Sequence, residues 1–325
     1  MIENLALSIE VVAPLVLFMA LGFTLKRWIK LKDESLAQMN KLVYSVFLPL
    51  TLFRTVYATD LNALFDMEVI LYAVISLLLY FAVLFFIVPK IEKDPRNCSV
   101  MIQGSYRSNH ALFGLTVVTA IFGDTNLGMA GILSAIVIIL FNFLAILLFE
   151  AFQKEKPNIK DVCKKTAVGC AKNPLIIALV AGLLFLAMRT QIPTLQLSPV
   201  IEKTIKDLAG IATPLALLVL GATFQFDDLR KYVKQICFVA VARLVVIPVL
   251  FLIPAALLLG VRDVNLVVLM SMYGAPTAVS SFPMAVALGG NGKLAGLLVV
   301  VTSIFSVITV FLWIFVLGAL GWIVV

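Results

Sequence analysis

The sequence is poor in charge: only 13% of its residues are Asp, Glu, Lys or Arg, and only one residue is histidine. Soluble domains carry about a quarter charged residues, so a chain this uncharged, and 62% apolar, is typical of a protein whose solvent is a lipid bilayer. Polar stretches long enough for a soluble domain are missing as well, because the longest, residues 153–173, has only the length of a loop. The composition therefore predicts a polytopic integral membrane protein.

Motifs of catalysis and metal binding are missing too. The chain has no Walker A loop, no HExxH, no GxSxG and no clustered carboxylates, which disfavours an ATPase or a membrane enzyme. Its four cysteines include no CxxC pair, so neither a metal site nor a disulfide framework is predicted. The first apolar run lacks the basic region of a signal peptide and is expected to be a retained helix. The net charge of +7 is explained by loop charges that set orientation, and nucleic acid is not an expected partner.

Ten apolar segments are long enough to cross a bilayer as helices, which takes about 20 residues each. The predicted spans are residues 5–25, 35–57, 67–89, 99–123, 126–151, 174–190, 204–223, 235–259, 265–289 and 294–322. The second, fourth, seventh and ninth are the least uniformly apolar, and a count that merges or splits one of these four is the alternative.

Basic residues alternate between successive loops. The odd-numbered loops hold seventeen lysines and arginines, whereas the even-numbered loops and the span ends beside them hold five. Because cytoplasmic loops carry an excess of Lys and Arg, the odd-numbered loops are predicted to face the cytoplasm. Both termini would then lie outside the cytoplasmic membrane. The four cysteines fall on or beside the cytoplasmic side, where thiols stay reduced.

The two halves of the chain resemble each other in the order and spacing of short motifs. Asn109 lies fourteen residues before Gly123, as Pro276 lies fourteen before Gly290. Each half holds five spans, an odd number, so the second half would enter the membrane inverted, as in many secondary transporters. The predicted domains are a first repeat over 1–152, a basic cytoplasmic loop over 153–173 and a second repeat over 174–325.

Two spans in matching positions of the repeats are interrupted. The fourth contains the polar run 103–114, and the ninth contains Gly274-Ala-Pro276, where proline removes a backbone donor and clashes with the preceding turn. Irregular backbone at membrane depth is tolerated where it lines a cavity, and paired breaks hold the binding sites of many transporters. If the broken segments cross, half-helices beginning near Asn109 and Pro276 would point their N-termini at the centre and favour an anion.

Three motifs resemble those of the auxin efflux carrier (AEC) family, whose bacterial members include proteins named as malonate or malate transporters. The motifs are Lys172-Asn-Pro-Leu-Ile176, Gly274-Ala-Pro-Thr-Ala-Val279 with Ser281-Phe-Pro283, and Arg107-Ser-Asn-His110. The resemblance covers essentially the whole chain. It implies the all-α fold of the bile acid:sodium symporter superfamily, with two inverted five-helix repeats whose broken fourth and ninth spans cross. It also implies a scaffold of spans 1, 2, 6 and 7, often a dimer interface, and a mobile transport domain of spans 3–5 and 8–10.

The candidate binding residues centre on the first break. Asn109 is expected to donate to a substrate carboxylate, as the family's crossover asparagine implies, or to cap the broken helix. Arg107 would be a counter-charge for an anion or part of a structural pair, because an unpaired charge at that depth is costly, and its neighbour Ser108 is a further substrate-binding candidate. His110 would take a proton or bind substrate, or it would be a neutral buried hydrogen-bonding group.

Further candidates lie on other spans. Thr277, Ser280 and Ser281 follow the second break at i, i+3 and i+4 and are expected to share one helical face. The remaining site candidates are Pro276 at that break, Asn40 and Tyr44 on the second span, and Arg243 on the eighth, which faces the same alternatives as Arg107. Asn142, Thr302, Ser306 and Thr309 are expected to pack or hydrogen-bond between helices.

These residues predict a secondary carrier that moves a small organic anion, such as malonate, malate or an auxin-like aromatic acid, by alternating access. A sodium-coupled symporter of a bulkier, bile acid-like substrate and a receptor that does not transport are the alternatives. No cofactor is expected, and the coupling ion, H⁺ or Na⁺, is left open. No intramembrane Asp pair is present, but carbonyls and hydroxyls can also hold sodium. The expected partners are the anion, membrane lipids and a second copy through the scaffold helices.

Overall fold

The computed structural model describes residues 2–58, 66–110, 117–118, 121–122, 127–152, 173–192 and 196–323, and these residues are nearly all helical. The helices are α1 (Ile2–Trp28), α2 (Asp33–Leu42), α3 (Leu48–Tyr57), α4 (Met67–Ile91), α5 (Pro95–Tyr106), α6 (Leu127–Ala151), α7 (Pro174–Gln191), α8 (Pro199–Thr223), α9 (Phe226–Lys231), α10 (Val233–Val241), α11 (Ile247–Leu258), α12 (Asp263–Gly274), α13 (Ser281–Ala287) and α14 (Gly292–Ala319). Two π-helical turns, π1 (Val43–Phe47) and π2 (Ala242–Val246), join α2 to α3 and α10 to α11.

Six helical stretches in the described part of the chain are long and apolar enough to cross a membrane. They are α4, α6 from Met129, α7, α8, the continuous stretch Val233–Leu258, and α14. The protein is therefore a multi-pass membrane protein, as its composition predicted. The helix ends agree with the predicted spans to within about five residues here. The count of ten spans stays a prediction, since most of 111–126 and the basic loop 153–172 lie outside the described residues.

Short polar side chains and prolines define where several helices begin. Asp66, Asp94 and Asn173 each accept a hydrogen bond from a backbone N–H in the first turn of α4, α5 and α7. Asn291 does the same at the start of α14 by accepting from Leu294 N. These caps satisfy backbone donors that have no partner within the helix. Proline occupies the first position of α5, α7 and α8, where its missing N–H costs nothing.

The π-helical turns are a consequence of proline. Pro49 and Pro248 each lie two residues after a π turn. A proline inside a helix cannot donate to the carbonyl four residues earlier and its ring clashes with that carbonyl, so the helix widens there. For Pro248 that carbonyl belongs to Leu244, and the indole Nε1 of Trp313 on α14 donates to it at 3.1 Å. The widened turn is thus anchored to a neighbouring helix.

Buried apolar side chains form two main clusters. The larger joins α4, α5, α6, α10, α11, α12 and α14, with Leu133 and Leu266 fully buried in it. The second joins α1, α2, π1 and α8 through residues such as Met19 and Leu217. Helices α13 and α14 contribute side chains to both clusters. The segment that leads into α13 therefore lies where the two groups of helices meet.

Helices α1 and α8 cross with their backbones in contact. A Cβ atom added to Gly22 would lie 2.0 Å from the Leu218 carbonyl oxygen, and one added to Gly221 would lie 1.9 Å from the Met19 oxygen. Only glycine can occupy these two positions without separating the helices. Small residues at a crossing are the usual means by which membrane helices approach this closely.

Candidate functional site

Two extended segments pair at the centre of the molecule. Helix α5 ends at Tyr106 and helix α12 ends at Gly274, where the sequence predicted the proline to interrupt it. The Asn109 amide donates to the Pro276 carbonyl at 2.8 Å, and the Ala278 amide donates to the Arg107 carbonyl at 3.0 Å. Ser108 and Thr277 thus form an isolated antiparallel bridge, which we call the crossover. It satisfies backbone groups that would otherwise be unpaired among apolar helices.

Thr277 belongs to this bridge, which corrects the expectation that it shares a helical face with Ser280 and Ser281. Helix α13 begins at Ser281, with Ser280 as the residue before it. The helix cannot begin at Pro276, because the Pro276 carbonyl and the Ala278 amide are bound to the opposite segment. The Thr277 hydroxyl instead donates to the Gly104 carbonyl at 2.8 Å, near the end of α5.

Thr302 on α14 also supports the crossover. Its Oγ1 accepts a hydrogen bond from the Thr277 amide at 3.1 Å and donates to the Leu298 carbonyl at 2.7 Å. The sequence suggested only helix packing for this residue. The threonine accepts a hydrogen bond from a buried amide that the β-bridge leaves unpaired, and it therefore stabilises the crossover.

The Arg243 guanidinium is hydrogen-bonded to four backbone carbonyls. Its side chain, on π2, donates to Ala275 O at 2.8 Å, to Ser105 O and Tyr106 O at 3.3 Å each, and to Met272 O. These oxygens belong to the C-terminal ends of α5 and α12. Only 1% of the residue is exposed. This geometry favours the structural alternative for Arg243 over a direct role as substrate counter-charge.

Arg107 is buried in a different environment. Its Nη2 donates to Asn142 Oδ1 at 3.1 Å and to Ser280 Oγ at 2.9 Å. Its Nε and Nη1 have no hydrogen-bond partner in the described part of the chain, although only 5% of the residue is exposed. Every ion pair found among the described residues involves other side chains: Lys26–Asp33, Lys203–Asp207 and Lys293–Asp228.

Other polar groups beside Arg107 are also buried and unpartnered among the residues described. They are Ser108 Oγ, Asn109 Nδ2 and Ser281 Oγ, together with both side-chain polar atoms of Gln103. Each buried donor or acceptor without a partner costs about 1–3 kcal/mol. Such groups are rare in a native fold, and a bound ligand, ion or ordered water that completes their hydrogen bonds is one explanation for them.

His110 is completely buried, and both of its ring nitrogens are hydrogen-bonded. Nε2 lies 3.0 Å from Ser134 Oγ, and Nδ1 lies 2.9 Å from Ser271 Oγ. Ser271 Oγ also lies 2.6 Å from the Val268 carbonyl, to which it donates. Its oxygen is then left to accept from Nδ1–H, and Nε2 accepts from Ser134. This arrangement suits a neutral imidazole with a structural role; its other proposed roles stay predictions.

Asn40 and Tyr44 approach the crossover region from α2 and π1. Asn40 Nδ2 lies 3.5 Å from the Pro283 carbonyl on α13, and its Oδ1 has no partner among the described residues. The Tyr44 hydroxyl accepts from Asn173 Nδ2 at 2.8 Å, and Tyr44 is close enough to Arg107 to interact with it electrostatically. Asn40 therefore links α2 to α13, whereas the hydrogen bond of Tyr44 joins π1 to the start of α7.

A cavity of about 530 Å³ opens between the two groups of helices. Asn40, Leu36 and Phe282 are among its lining residues, and it extends to Lys26, Arg96 and Lys293, which lie at the ends of α1, α5 and α14. Arg107 and Ser280 do not line it. The cavity thus leads from these helix ends to α13, next to the crossover, and ends short of the Arg107 guanidinium.

Several residues of the site were not among the predicted binding residues. Gln103 and Asn173 were noted only as part of a polar run and of a family motif, Thr302 was expected only to pack, and Ser134 was not singled out. Many membrane helices carry such residues for packing alone. Their partners are distant in the chain, so no local pattern distinguishes them.

Long apolar helices around a buried polar crossover are typical of membrane transport proteins. The family model described as "Membrane transport protein" matches residues 7–314. The chain therefore belongs to this family, which is the auxin efflux carrier family that the motifs indicated.

Two relatives match almost the full length of the chain. An "Uncharacterized transporter" from Methanothermobacter thermautotrophicus is 24% identical over 307 residues, which cover 94% of this chain and 97% of that protein. A "Putative malonate transporter" from Rhizobium meliloti is 23% identical over 298 residues, 89% of each chain. Both names agree with the conclusion that the chain is a transporter.

Proposed function

We propose that this protein is a secondary carrier for a small organic anion and that Arg107 binds the carboxylate of that anion. The proposal rests on the Arg107 guanidinium, which is buried, has no acidic partner among the described residues, and has two nitrogens without a hydrogen-bond partner there. A buried charge without a counter-ion is costly. A carboxylate supplies both the opposite charge and the acceptor atoms.

The groups around Arg107 favour an anion that is small and rich in acceptors. Asn109 Nδ2 is a donor without an acceptor, and the Ser108 and Ser281 hydroxyls can donate as well. These groups belong to the crossover or to the start of α13, and an anion with several oxygens would accept hydrogen bonds from them. A dicarboxylate such as malonate or malate fits this set, and the name of the Rhizobium relative supports the same class.

The cavity leads towards this site. Its volume of about 530 Å³ lies within the range of small-molecule pockets. Lys26 and Lys293 at its far end are paired with Asp33 and Asp228, so Arg96 gives this end its net positive charge, which would raise the local concentration of anions. We infer that this conformation is open to the cytoplasm and that the anion reaches Arg107 when one group of helices moves relative to the other. The separate apolar clusters support such a movement.

The proposed architecture is ten spans in two inverted repeats, with basic loops in the cytoplasm and both termini outside. Three features support it: the antiparallel crossover joins breaks at corresponding positions, α1 crosses α8, and α3 packs along α7. In the repeat these helix pairs correspond, and Gly22 and Gly182 lie at the two contacts. The α1–α3, α7 and α8 group would be the scaffold and would form any homodimer.

The test is uptake and binding by the purified protein, with Arg107→Gln as the variant. We expect wild-type proteoliposomes to accumulate malonate or malate with saturation. Arg107→Gln should weaken binding by at least about 30-fold, because losing a buried charged partner costs about 2 kcal/mol or more. Arg230→Gln is the matched control, because Arg230 is exposed and lies on α9, far along the chain from the crossover.

Asn109→Ala provides a second, milder test. It removes one hydrogen bond to the anion and should weaken binding about 5-fold, a loss of about 1 kcal/mol. Unchanged binding by a monodisperse Asn109→Ala protein would remove Asn109 from the site. If wild type binds anions but never accumulates any of a broad panel, the protein is a receptor. Equal binding by wild type and Arg107→Gln would refute the assignment of Arg107.

A further inference from the structure

Arg243 places a covalently attached positive charge where two broken helices end. The carbonyls of Ser105 and Tyr106 close α5, and those of Met272 and Ala275 close α12. The last carbonyls of a helix have no partner within it, and each helix end carries about half a negative charge. The guanidinium binds both ends at once, and its single charge offsets the two partial charges.

In secondary transporters, unwound carbonyls and the C-terminal ends of half-helices are the groups that coordinate a coupling cation such as Na⁺. Here those groups on both broken helices already accept hydrogen bonds from Arg243. The planar guanidinium suits this task, because it presents five N–H donors in a fixed geometry. A lysine, with one compact ammonium, could not span the same four carbonyls.

The space beside Arg243 is small. The cavity beside the guanidinium, lined by Tyr80, Tyr106 and Tyr273 among others, measures about 10 Å³. This volume is at the lower limit for a single water molecule and excludes a hydrated cation. Tyr80, Tyr273 and His110 are titratable groups that interact electrostatically with the guanidinium.

We propose that Arg243 takes the place of a coupling cation at the crossover, so that the carrier binds and moves its anion without sodium. Arg243 is a positioning residue: it holds α5 and α12 together at their C-terminal ends and thereby presents Arg107 and Asn109 to the substrate. This inference rests on the proposed function, since it concerns the coupling of the same site.

The test compares sodium with choline at equal ionic strength, and guanidinium with urea. Wild-type uptake, anion binding and thermal unfolding should be the same in sodium chloride and choline chloride. Arg243→Ala should lose uptake by at least about ten-fold, a change of about 1.4 kcal/mol, and should unfold at a lower temperature. Millimolar guanidinium chloride should restore part of the uptake and part of the unfolding temperature of Arg243→Ala. Urea, which has a similar shape and no charge, should restore neither quantity. The uptake and the unfolding temperature of Arg243→Lys should lie between those of wild type and Arg243→Ala. If the alanine variant does not fold, the same comparison is made with Arg243→Lys.

Each outcome decides between the alternatives. Anion binding or uptake by the wild type that increases several-fold with sodium would overturn the inference and leave the anion site in place. An equal effect of urea and guanidinium on Arg243→Ala would also overturn it. If the wild type binds no anion in either salt, the proposed function fails, and the guanidinium effect on thermal unfolding still tests the role of Arg243.

Discussion

The crossing of α1 and α8 gives the clearest prediction about stability. Gly221→Ala places a methyl group 1.9 Å from the Met19 carbonyl oxygen, where ordinary contacts begin at 3.4 Å. The obstacle is backbone on both sides, so no side chain can rotate away. The two helices must therefore separate by about 1.5 Å along their contact. We expect the variant to lose about 3 kcal/mol of stability from overpacking, offset by about 1 kcal/mol of improved helix propensity.

Gly210→Ala is a matched control on the same helix. A Cβ atom added at Gly210 meets nothing within 4 Å, so only the gain in helix propensity remains. The measurement is thermal unfolding of the purified proteins in one detergent. At about 2 °C per kcal/mol for a chain of this size, Gly221→Ala should unfold roughly 4 °C below wild type. Gly210→Ala should match or exceed wild type. If the two variants unfold at the same temperature, the helices do not pack with their backbones in contact.

Two further predictions concern the crossover and a loop. Thr302→Val keeps the shape of the side chain but leaves the buried Thr277 amide without an acceptor, so it should cost about 1–3 kcal/mol in thermal unfolding. Ser306→Ala, which removes only a bond to Ser303 O, should cost less, and an equal cost would contradict the role of Thr302. Burial of the Glu92 carboxyl opposes its ionisation, but hydrogen bonds from Asp94, Gln235 and Lys93 outweigh it and hold its pKa below the usual value. Its stabilising contribution is therefore complete above the unfolded-state pKa of about 4.3 and is lost as the pH falls through the lower folded-state pKa. The difference in unfolding temperature between wild type and Glu92→Gln should shrink over that range, and a constant difference would contradict this account.

The helical boundaries were predictable because they depend on local patterns. Apolar runs of the length of a bilayer define α4, α7 and α14, and the bilayer leaves few alternatives to a helix for such runs. The interruption of α12 at Gly274 was predictable for a similar reason, since Pro276 removes a donor and blocks the preceding turn wherever it occurs. The start of α13 was not predictable, because it depends on backbone hydrogen bonding to Arg107, which is distant in the chain and leaves no local pattern.

Arg107 and Arg243 show the limit of sequence reasoning most clearly. Both are arginines in the interior of apolar stretches, and the sequence offered the same two alternatives for each. The folded chain separates them: Arg243 reaches four carbonyls on two other helices, whereas Arg107 reaches two side chains and keeps two nitrogens unpartnered among the described residues. Hydrogen-bond partners more than thirty residues away along the chain, such as Asn142 for Arg107, are set by packing alone.

The sequence by itself determined that this chain is a multi-pass membrane transport protein, because hydropathy, loop charge, the proline break and the family motifs are properties of short stretches of the chain. The tertiary structure alone decided which polar residues are satisfied and which are available to a ligand. The reason is physical: burying a polar group is tolerated only when a partner meets it in space. For Arg243 that partner is the protein backbone, and for Arg107 we propose that it is the transported anion.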